Sequence, residues 1–274
     1  MYLILDIGSN SIRSMQINER GVFQKKRLIT TRLASGLDQT GMLSGAAMER
    51  SVAAIEAFIK EAACTQDKVF AYATSAVRDA ANREDFLRRV YTACGISVDV
   101  LSGEEEARNA LLGARAEGLV DIGGGSAQIV TAGFAQSWPM GCVRAAERNT
   151  REAIEARCRA LFRFPRLFVP RWAGAGGTLT TLSALHLGLT AYDSNKVGKD
   201  SLTVSDIEAL IENLTGMGEA RAAHPLLHMR HDVIIPGAIV ACFIMRGMNI
   251  PRIFITDADG MEGYAFSKRL VKSL

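Results

Sequence analysis

The sequence predicts an α/β fold made of two related halves, with a functional site in the cleft between them. The phrase Asp-Ile-Gly-x-x-Ser occurs twice, at Asp6–Ser11 and at Asp121–Ser126, each time after an apolar run. Between and after the two copies, short β-type runs alternate with amphipathic helical patterns, which is typical of α/β proteins. The repeated opening indicates two halves of similar construction that face each other.

Each copy of the phrase has the features of a phosphate-binding hairpin. An apolar strand (Tyr2–Leu5; Leu119–Val120) ends at an aspartate, small residues form a tight turn, and a second strand leaves (Ile12–Ile17; Ala127–Thr131). A Gly/Ser turn can point backbone N–H groups at an anion because no Cβ blocks the approach. Most single Gly-rich turns are plain hairpins, so the repetition with the aspartate in register is what favours phosphate binding.

The other elements of the first half, residues 1–118, follow from hydrophobic periodicity. Ser44 begins a helix whose apolar residues Met48, Val52, Ile55 and Ile59 share one face. The remaining predictions are a strand over Val22–Ile29, a strand over Lys68–Ala73, a helix over Asn82–Cys94 with Phe86, Leu87, Val90 and Tyr91 inward, a strand over Ile96–Leu101 and a helix over Glu104–Glu117.

The second half is predicted to span residues 119–259, because the second phrase begins just after Gly118. Its predicted elements are strands to about Met140, a helix over about Ala145–Leu161, a strand over Leu167–Ala173, a helix over Gly176–Leu187, a helix after a capping box at Thr203 and Asp206, a helix over Pro236–Met245 and a strand over Arg252–Thr256. A closing helix over Glu262–Val271, part of a C-terminal segment at about 260–274, is expected to pack back on the first half.

Composition and charge describe an ordinary globular protein. Of the 274 residues 48% are hydrophobic and 22% charged, and the net charge of +3 does not favour a nucleic-acid partner. Five scattered cysteines are expected to be reduced thiols in a cytoplasmic protein. The N-terminus lacks the basic region of a signal peptide, and the longest uncharged stretch, Val233–Met245, is too short to cross a bilayer. No membrane partner is therefore expected.

One segment is strongly basic. Between Arg144 and Arg171 there are eight arginines and three glutamates. Such a stretch either guides a long polyanion by counterion release or forms a solvated helix with Glu–Arg pairs.

Seven stretches occur in the order found in a known family. They are Asp6–Arg13, Ala73–Ala80, Leu101–Ala107, Asp121–Ser126, Met140–Arg144, Gly176–Leu182 and Arg230–Ile234. Together they resemble the exopolyphosphatase/guanosine pentaphosphate phosphohydrolase (Ppx/GppA) family of the actin, hexokinase and heat-shock ATPase superfamily. The resemblance covers essentially the whole chain. It implies two actin-like (ribonuclease H-like) domains with the active site between them, without the extra C-terminal helical domains of longer relatives.

The resemblance implies a Mg²⁺-dependent phosphoanhydride hydrolase that releases terminal orthophosphate from inorganic polyphosphate. Guanosine pentaphosphate, or another nucleotide, is the alternative substrate. Hydrolysis requires that phosphate charge be neutralised, the leaving oxygen stabilised and a water positioned in line. The resemblance places the general base at Glu106. From the residues alone, the favoured interpretation of Glu104, Glu105 and Glu106 is that their carboxylates complement the dipole of a helix N-terminus.

The candidate ligands of Mg²⁺, or of another divalent cation, are Asp6 and Asp121. The alternative is that each only caps its turn as an Asx residue. The candidate phosphate-binding residues are Ser9, Asn10, Ser11, Arg78, Gly123, Gly124, Gly125 and Ser126. For Arg78 the alternative is a structural ion pair with Asp79 or Glu84. A third Gly-rich turn, Gly174–Thr181, either binds an anion at a helix N-terminus or only packs tightly against the sheet.

Two residues depart from the family pattern. Gln128 stands where the family has a glutamate, and Met261 stands where it has an arginine. These changes keep open a sensor that binds polyphosphate or an alarmone with little hydrolysis. An ATP-dependent kinase of the same superfamily is a third alternative, because the fold alone does not fix function, but the three glutamates before the second phrase match the hydrolase family and speak against it. Relatives are commonly dimers, so a homodimer is expected by analogy.

Overall fold

Two mixed β-sheets form the framework of the protein, one around each copy of the repeated phrase. The computed structural model describes residues 1–24 and 26–271. The strands are β1 Tyr2–Ile7, β2 Ser11–Ile17, β3 Arg27–Thr30, β4 Val69–Ala73, β5 Val98–Val100, β6 Gly118–Ile122, β7 Ala127–Thr131, β8 Phe134–Trp138, β9 Trp172–Ala175, β10 Ser201–Thr203 and β11 Arg252–Ile255. The first sheet has the order β3-β2-β1-β4-β5, and the second has the order β10-β11-β9-β6-β7-β8.

Helices cover both sheets, which confirms the predicted α/β class. They are α1 Leu37–Thr40, α2 Gly45–Ala62, α3 Ser75–Asp79, α4 Arg83–Cys94, α5 Gly103–Ala114, α6 Cys142–Ala146, α7 Arg151–Leu161, α8 Gly176–His186, α9 Ser194–Val197, α10 Val204–Gly216, α11 Ile234–Gly247 and α12 Gly260–Ser267. No helix within the described residues is long and apolar enough to cross a bilayer. The cytoplasmic location and the homodimer stay predictions.

The two phrases occupy equivalent places in the two sheets. In the first sheet β1 pairs antiparallel with β2 and parallel with β4, and in the second β6 pairs antiparallel with β7 and parallel with β9. Asp6 faces Arg13 across β1 and β2, and Asp121 faces Gln128 across β6 and β7. Both aspartates therefore lie at the carboxyl end of a central strand, where α/β proteins bind their ligands.

Helices α5 and α12 lie between the two sheets. Ala107 and Ala110 of α5 pack against the second sheet, in a cluster with Leu119 and Val130. Met261 and Tyr264 of α12 pack with Ile4, Met15 and Tyr72 of the first sheet. The closing helix thus contacts the first sheet, while α5 reaches across to the second. The boundary near residue 118 stays a prediction, and residues 272–274 of the predicted C-terminal segment lie outside the described residues.

Several predicted helix starts are confirmed by their caps. The Ser44 hydroxyl accepts a hydrogen bond from the Ala47 N–H at 3.3 Å. Thr203 and Asp206 form the expected capping box, since each side chain accepts a bond from the backbone N–H of the other. These side chains satisfy N–H groups that have no partner inside the helix.

The structure corrects three predicted elements and the orientation of one side chain. The helix predicted over 145–161 is broken: α6 ends at Ala146, and the extended Thr150 caps a new helix by accepting from the Ala153 N–H. The strand predicted from Leu167 begins only at Trp172, because Pro165 and Pro170 remove donors that a sheet needs. Among the described residues, the strand predicted over 22–29 is found over Arg27–Thr30, and Phe23 forms a single β-bridge with Ile17. Tyr91, predicted to face inward, is 62% exposed.

Candidate active site

A cavity of about 570 Å³ opens between the two sheets, at the ends of β1 and β6. Every residue that the sequence predicts for the site lines this cavity except Arg78. The lining residues among them are Asp6, Ser9, Asn10, Ser11, Glu106, Asp121, Gly123, Gly124, Gly125 and Ser126. The two halves of the chain therefore contribute to one site.

The two Gly/Ser turns have the same internal geometry and touch each other. In the first, the Gly8 N–H donates to the Ser11 carbonyl at 3.1 Å, and in the second the Gly123 N–H donates to the Ser126 carbonyl at 3.0 Å. A Cβ at Gly125 would lie 2.3 Å from the Ser9 hydroxyl oxygen. Glycine is therefore required at position 125 for the two turns to approach this closely.

Two buried donors face the cavity without a partner in the described part of the chain. They are the amide nitrogen Nδ2 of Asn10 and the hydroxyl of Thr178, whose residues are 7% and 2% exposed. A buried donor without a hydrogen bond costs about 1–3 kcal/mol. A bound anion would supply the missing acceptors.

Arg230 adds a cation to the same wall. Its guanidinium lies so close to Gly177, at the start of α8, that a Cβ there would sit 2.3 Å from Nη1. Burial lowers the pKa of Arg230, as does the nearby charge of Arg13. The open helix N-terminus and this arginine together form an anion-binding corner. The third Gly-rich turn thus faces the cavity as well as packing tightly.

The three consecutive glutamates of α5 have three different environments. Glu104 is paired on the surface with Arg108. Glu105 caps the helix, because its carboxylate accepts from the Ser102 N–H at 2.8 Å while the Ser102 hydroxyl accepts from the Glu105 N–H. Glu106 alone lines the cavity. Only Glu106 is therefore placed to act on a ligand.

Arg78 lies behind Glu106 rather than in the cavity wall. Its Nη1 donates to Glu106 Oε2 at 2.8 Å and to the Leu101 carbonyl at 2.9 Å. It also lies 3.4 Å from Asp79, whereas Glu84 pairs with Arg83. Burial raises the pKa of Glu106, and the charge of Arg78 offsets only part of that increase. Arg78 thus holds a carboxylate whose affinity for protons is higher than usual.

Asp6 is neutralised by a cation from its own hairpin. The Arg13 Nε donates to Asp6 Oδ2 at 3.0 Å, and Arg13 also pairs with Asp259 at the start of α12. Lys26 lies 3.2 Å from Asp259 and 3.0 Å from Glu262. Burial would raise the pKa of Asp259, but Arg13 and Lys26 hold it below its ordinary value. The first half therefore brings two cations to this end of the cavity.

Asp121 has no such partner among the described residues. Gln128 occupies the position equivalent to Arg13, but its amide donates to the hydroxyls of Ser126 and Ser137, at 2.8 and 3.1 Å. Burial and the neighbouring carboxylates of Asp259 and Glu106 raise the pKa of Asp121 to about 7. A cation bound beside Asp121 would relieve this repulsion. Met261, the other departure from the family pattern, is fully buried in the α12 contact with the first sheet.

The donor set suits Mg²⁺ better than a metal held entirely by protein. Within residues 1–24 and 26–271, no cluster of three or more His, Cys, Asp or Glu side chains has metal-binding geometry. Mg²⁺ typically takes one or two carboxylates and completes its shell with water and substrate phosphates. The carboxylate of Asp121, which has no cation beside it among the described residues, would suit one such position, whereas Asp6, the other predicted ligand, already pairs with Arg13.

One part of the cavity wall is uncharged apart from Asp257. It includes Ala184, Thr190, Tyr192, Pro225 and Leu226, and the Tyr192 hydroxyl donates to the Asp257 carboxylate. Together with the carboxylate and arginine ends, this wall gives the cavity room for more than a pyrophosphate group. Its volume lies within the range of sites that enclose whole small molecules.

The basic stretch 144–171 consists largely of arginines that already have partners. Arg144 pairs with Asp79, Arg148 with Asp38, and Arg151 with Glu155 and Glu208. Near its end, Arg171 lies over the ring of Phe254. Ion pairs therefore account for four of the eight arginines, Arg144, Arg148, Arg151 and Arg159, and two of these pair with aspartates of the first half.

Several site residues were not predicted from the sequence. Arg13, Thr178 and Arg230 lie inside the stretches that resemble the family, and Asp259 begins an Asp-x-x-Glu capping box that could have been recognised. No local sequence pattern marks Lys26 or Tyr72 as a site residue. Tyr72 reaches the cavity through the pairing of β4, and Lys26 reaches it from the loop before β3.

Comparisons with known proteins agree with this geometry. Residues 15–271 match the model of the Ppx/GppA phosphatase family. Exopolyphosphatase 2 of Mycobacterium tuberculosis is 30% identical to this chain, over 96% of this chain and 97% of that protein. An exopolyphosphatase-like protein of known structure is 26% identical, with a TM-score of 0.87, over 99% of this chain and 98% of that one. A Ppx/GppA family member from Aquifex aeolicus is also 26% identical, with a TM-score of 0.74, over 98% and 97% of the two chains.

Proposed function

The chain belongs to the Ppx/GppA phosphatase family of phosphoanhydride hydrolases, and we propose that it is a Mg²⁺-dependent exopolyphosphatase that releases orthophosphate from the end of inorganic polyphosphate. One observation carries the proposal. A single cavity combines three anion donors, Asn10, Thr178 and Arg230, the first two without a partner among the described residues, with a carboxylate of raised pKa at Glu106. Such a site can hold a phosphate chain and take a proton from water in the same place.

Each group has a defined part in this reaction. The two Gly/Ser turns and Asn10 would hold the terminal phosphate between the halves. Glu106 would accept the proton of the attacking water, and Arg78 would keep its carboxylate directed into the cavity. Arg230 and the N-terminus of α8 would bind the next phosphate and stabilise the charge that develops on the leaving oxygen. Mg²⁺ held by Asp121 and Asp6 would neutralise charge on the non-bridging oxygens.

Orthophosphate release from long-chain polyphosphate tests the proposal. We expect release in the presence of Mg²⁺, loss of release when the cation is chelated, and recovery when Mg²⁺ is returned. Release that continues unchanged in chelator would contradict the metal requirement. Binding of polyphosphate without release at saturating Mg²⁺ would instead identify the chain as a sensor.

The metal part of the proposal predicts a pH-dependent effect on stability. Asp121 has a pKa of about 7 in the folded protein, above its ordinary value of 3.8. Folding then becomes less favourable as the pH rises from about 4 to about 7, because the folded state must give up a proton that it holds more tightly. Mg²⁺ should offset this loss above pH 7 and have little effect at pH 5, where Asp121 is protonated. Thermal unfolding at both pH values, with and without Mg²⁺, measures the difference, and Asp121→Asn should abolish it.

The mainly uncharged part of the cavity wall favours a second candidate substrate, guanosine pentaphosphate. Tyr192, Pro225 and Leu226 offer a surface for a nucleoside next to the phosphate-binding corner. A comparison of kcat/KM for guanosine pentaphosphate and for inorganic triphosphate would decide whether the nucleoside contributes. A much higher kcat/KM for the nucleotide would make it the preferred substrate, and equal values would assign the site to polyphosphate.

A further inference from the structure

Six charged side chains of alternating sign form a continuous line that begins at Glu106 and crosses between the two halves. In order they are Glu106, Arg78, Asp79, Arg144, Asp38 and Arg148. Asp38 belongs to helix α1, Arg78 and Asp79 to α3 and Glu106 to α5. Arg144 lies on α6, and Arg148 lies two residues beyond the end of α6. The contact between Asp79 and Arg144 therefore joins the first half to the second.

Asp79 divides its two carboxylate oxygens between two arginines. Its Oδ1 lies 3.4 Å from Arg78 Nε, and its Oδ2 accepts from Arg144 Nη2 at 2.5 Å and from the Ser75 hydroxyl at 3.0 Å. Arg144 is only 6% exposed. Because water has little access to Arg144, Asp79 and Arg144 must compensate each other's charge, and Arg78 is left to pair mainly with Glu106.

We propose that Arg144 is a positioning residue for Glu106, acting through Asp79 and Arg78. The inference rests on the proposed function in one respect, that Glu106 is the base. By neutralising Asp79, Arg144 keeps Arg78 on the Glu106 carboxylate and so sets how readily Glu106 takes a proton. Since Arg144 comes from the second half, the base is fully prepared only when the two halves are in contact at this point.

The direction of each effect follows from the charges around Glu106. Arg78 lowers the pKa of Glu106, whereas Asp79 and Asp6 raise it. Glu106 in turn contributes to the raised pKa of Asp121 and of Tyr72, which face it across the cavity. Of all these groups, only Arg78 and Asp79 lie in the line that leads to Arg144. A change at Arg144 should therefore reach Glu106 through these two residues.

Three variants test the proposal. Arg144→Met leaves Asp79 uncompensated, so Asp79 draws Arg78 away and the pKa of Glu106 should rise by about one unit. Asp79→Asn removes the competing anion, so the pKa of Glu106 should fall. In the double variant the substitution at Arg144 should have no further effect, because the residue through which it acts is gone. If Arg144→Met does not fold, the expected fall in the pKa of Glu106 in Asp79→Asn still tests the line of charged side chains.

The pKa of Glu106 is measured by ¹³C NMR of labelled glutamate carboxyls, with Glu106→Gln to assign the resonance. The matched control is Arg32→Met, which removes another ion pair between the halves, to Asp232, and should leave the Glu106 titration unchanged. Equal shifts in Arg144→Met and Arg32→Met, or a shift that persists in the Asp79→Asn background, would overturn the proposal. The NMR titration needs no turnover, so absence of orthophosphate release by the wild type would count against the proposed function and not against this inference. Where release occurs, the acid limb of kcat/KM should move with the titration.

Discussion

Glu106→Gln should reduce kcat for orthophosphate release by about 10²- to 10⁴-fold, the usual contribution of a general base. Glutamine has nearly the same shape and can still accept the hydrogen bond from Arg78, which donates to Glu106 at 2.8 Å. It cannot take a proton from water at neutral pH. The expected result is a folded protein that binds polyphosphate but does not turn it over. Stopped assays of phosphate release, with binding measured separately, distinguish the two steps.

Glu104→Gln provides the matched control. It makes the same chemical change two residues earlier on α5, where the side chain is 60% exposed and pairs with Arg108 on the surface. Surface pairs of this kind contribute little to stability, so activity and stability should stay at the wild-type level. Full activity in Glu106→Gln, or equal losses in both variants, would contradict the assignment of the base.

The repeated phrase predicts the cavity from sequence because its geometry is local. An aspartate at the end of a buried strand, followed by small residues, can form only a few kinds of turn. Two copies in related halves place Asp6 and Asp121 at equivalent strand ends. The same logic extends to Gly125, whose missing side chain lets the turns touch.

Side-chain direction is what sequence pattern does not provide. Glu104, Glu105 and Glu106 are chemically identical and adjacent, and only tertiary packing turns one of them into the cavity. Arg78 was predicted to bind phosphate, yet its position behind Glu106 depends on how α3 and α5 meet. Likewise, Arg230 comes from a segment far along the chain from the phrases. No local periodicity records that it converges on them.

The contact between α5 and α12 should be the point in the fold most sensitive to added volume. A Cβ at Gly113 would lie 1.8 Å from the Asp259 carbonyl oxygen, and a Cβ at Gly263 would lie 1.7 Å from that of Asn109. Both obstacles are backbone atoms, which cannot turn aside as a flexible side chain can. Gly113→Ala should therefore force the two helices apart and destabilise the protein by about 1–3 kcal/mol. A lower midpoint of thermal or urea unfolding would report the change.

Gly216→Ala separates this effect from the general consequence of replacing a helical glycine. Nothing lies within 4 Å of a Cβ at Gly216 in α10, and alanine favours helix by about 1 kcal/mol over glycine in a helix interior. That variant should be as stable as the wild type or more so.

The displacement of the helices in Gly113→Ala should also disturb the active site, because α5 carries Glu106 and Asp259 caps α12. Orthophosphate release per folded molecule should then fall in Gly113→Ala alone. Unchanged release of orthophosphate from a destabilised Gly113→Ala variant would mean that the helix contact supports the fold without setting the distance between the carboxylates of Glu106 and Asp259.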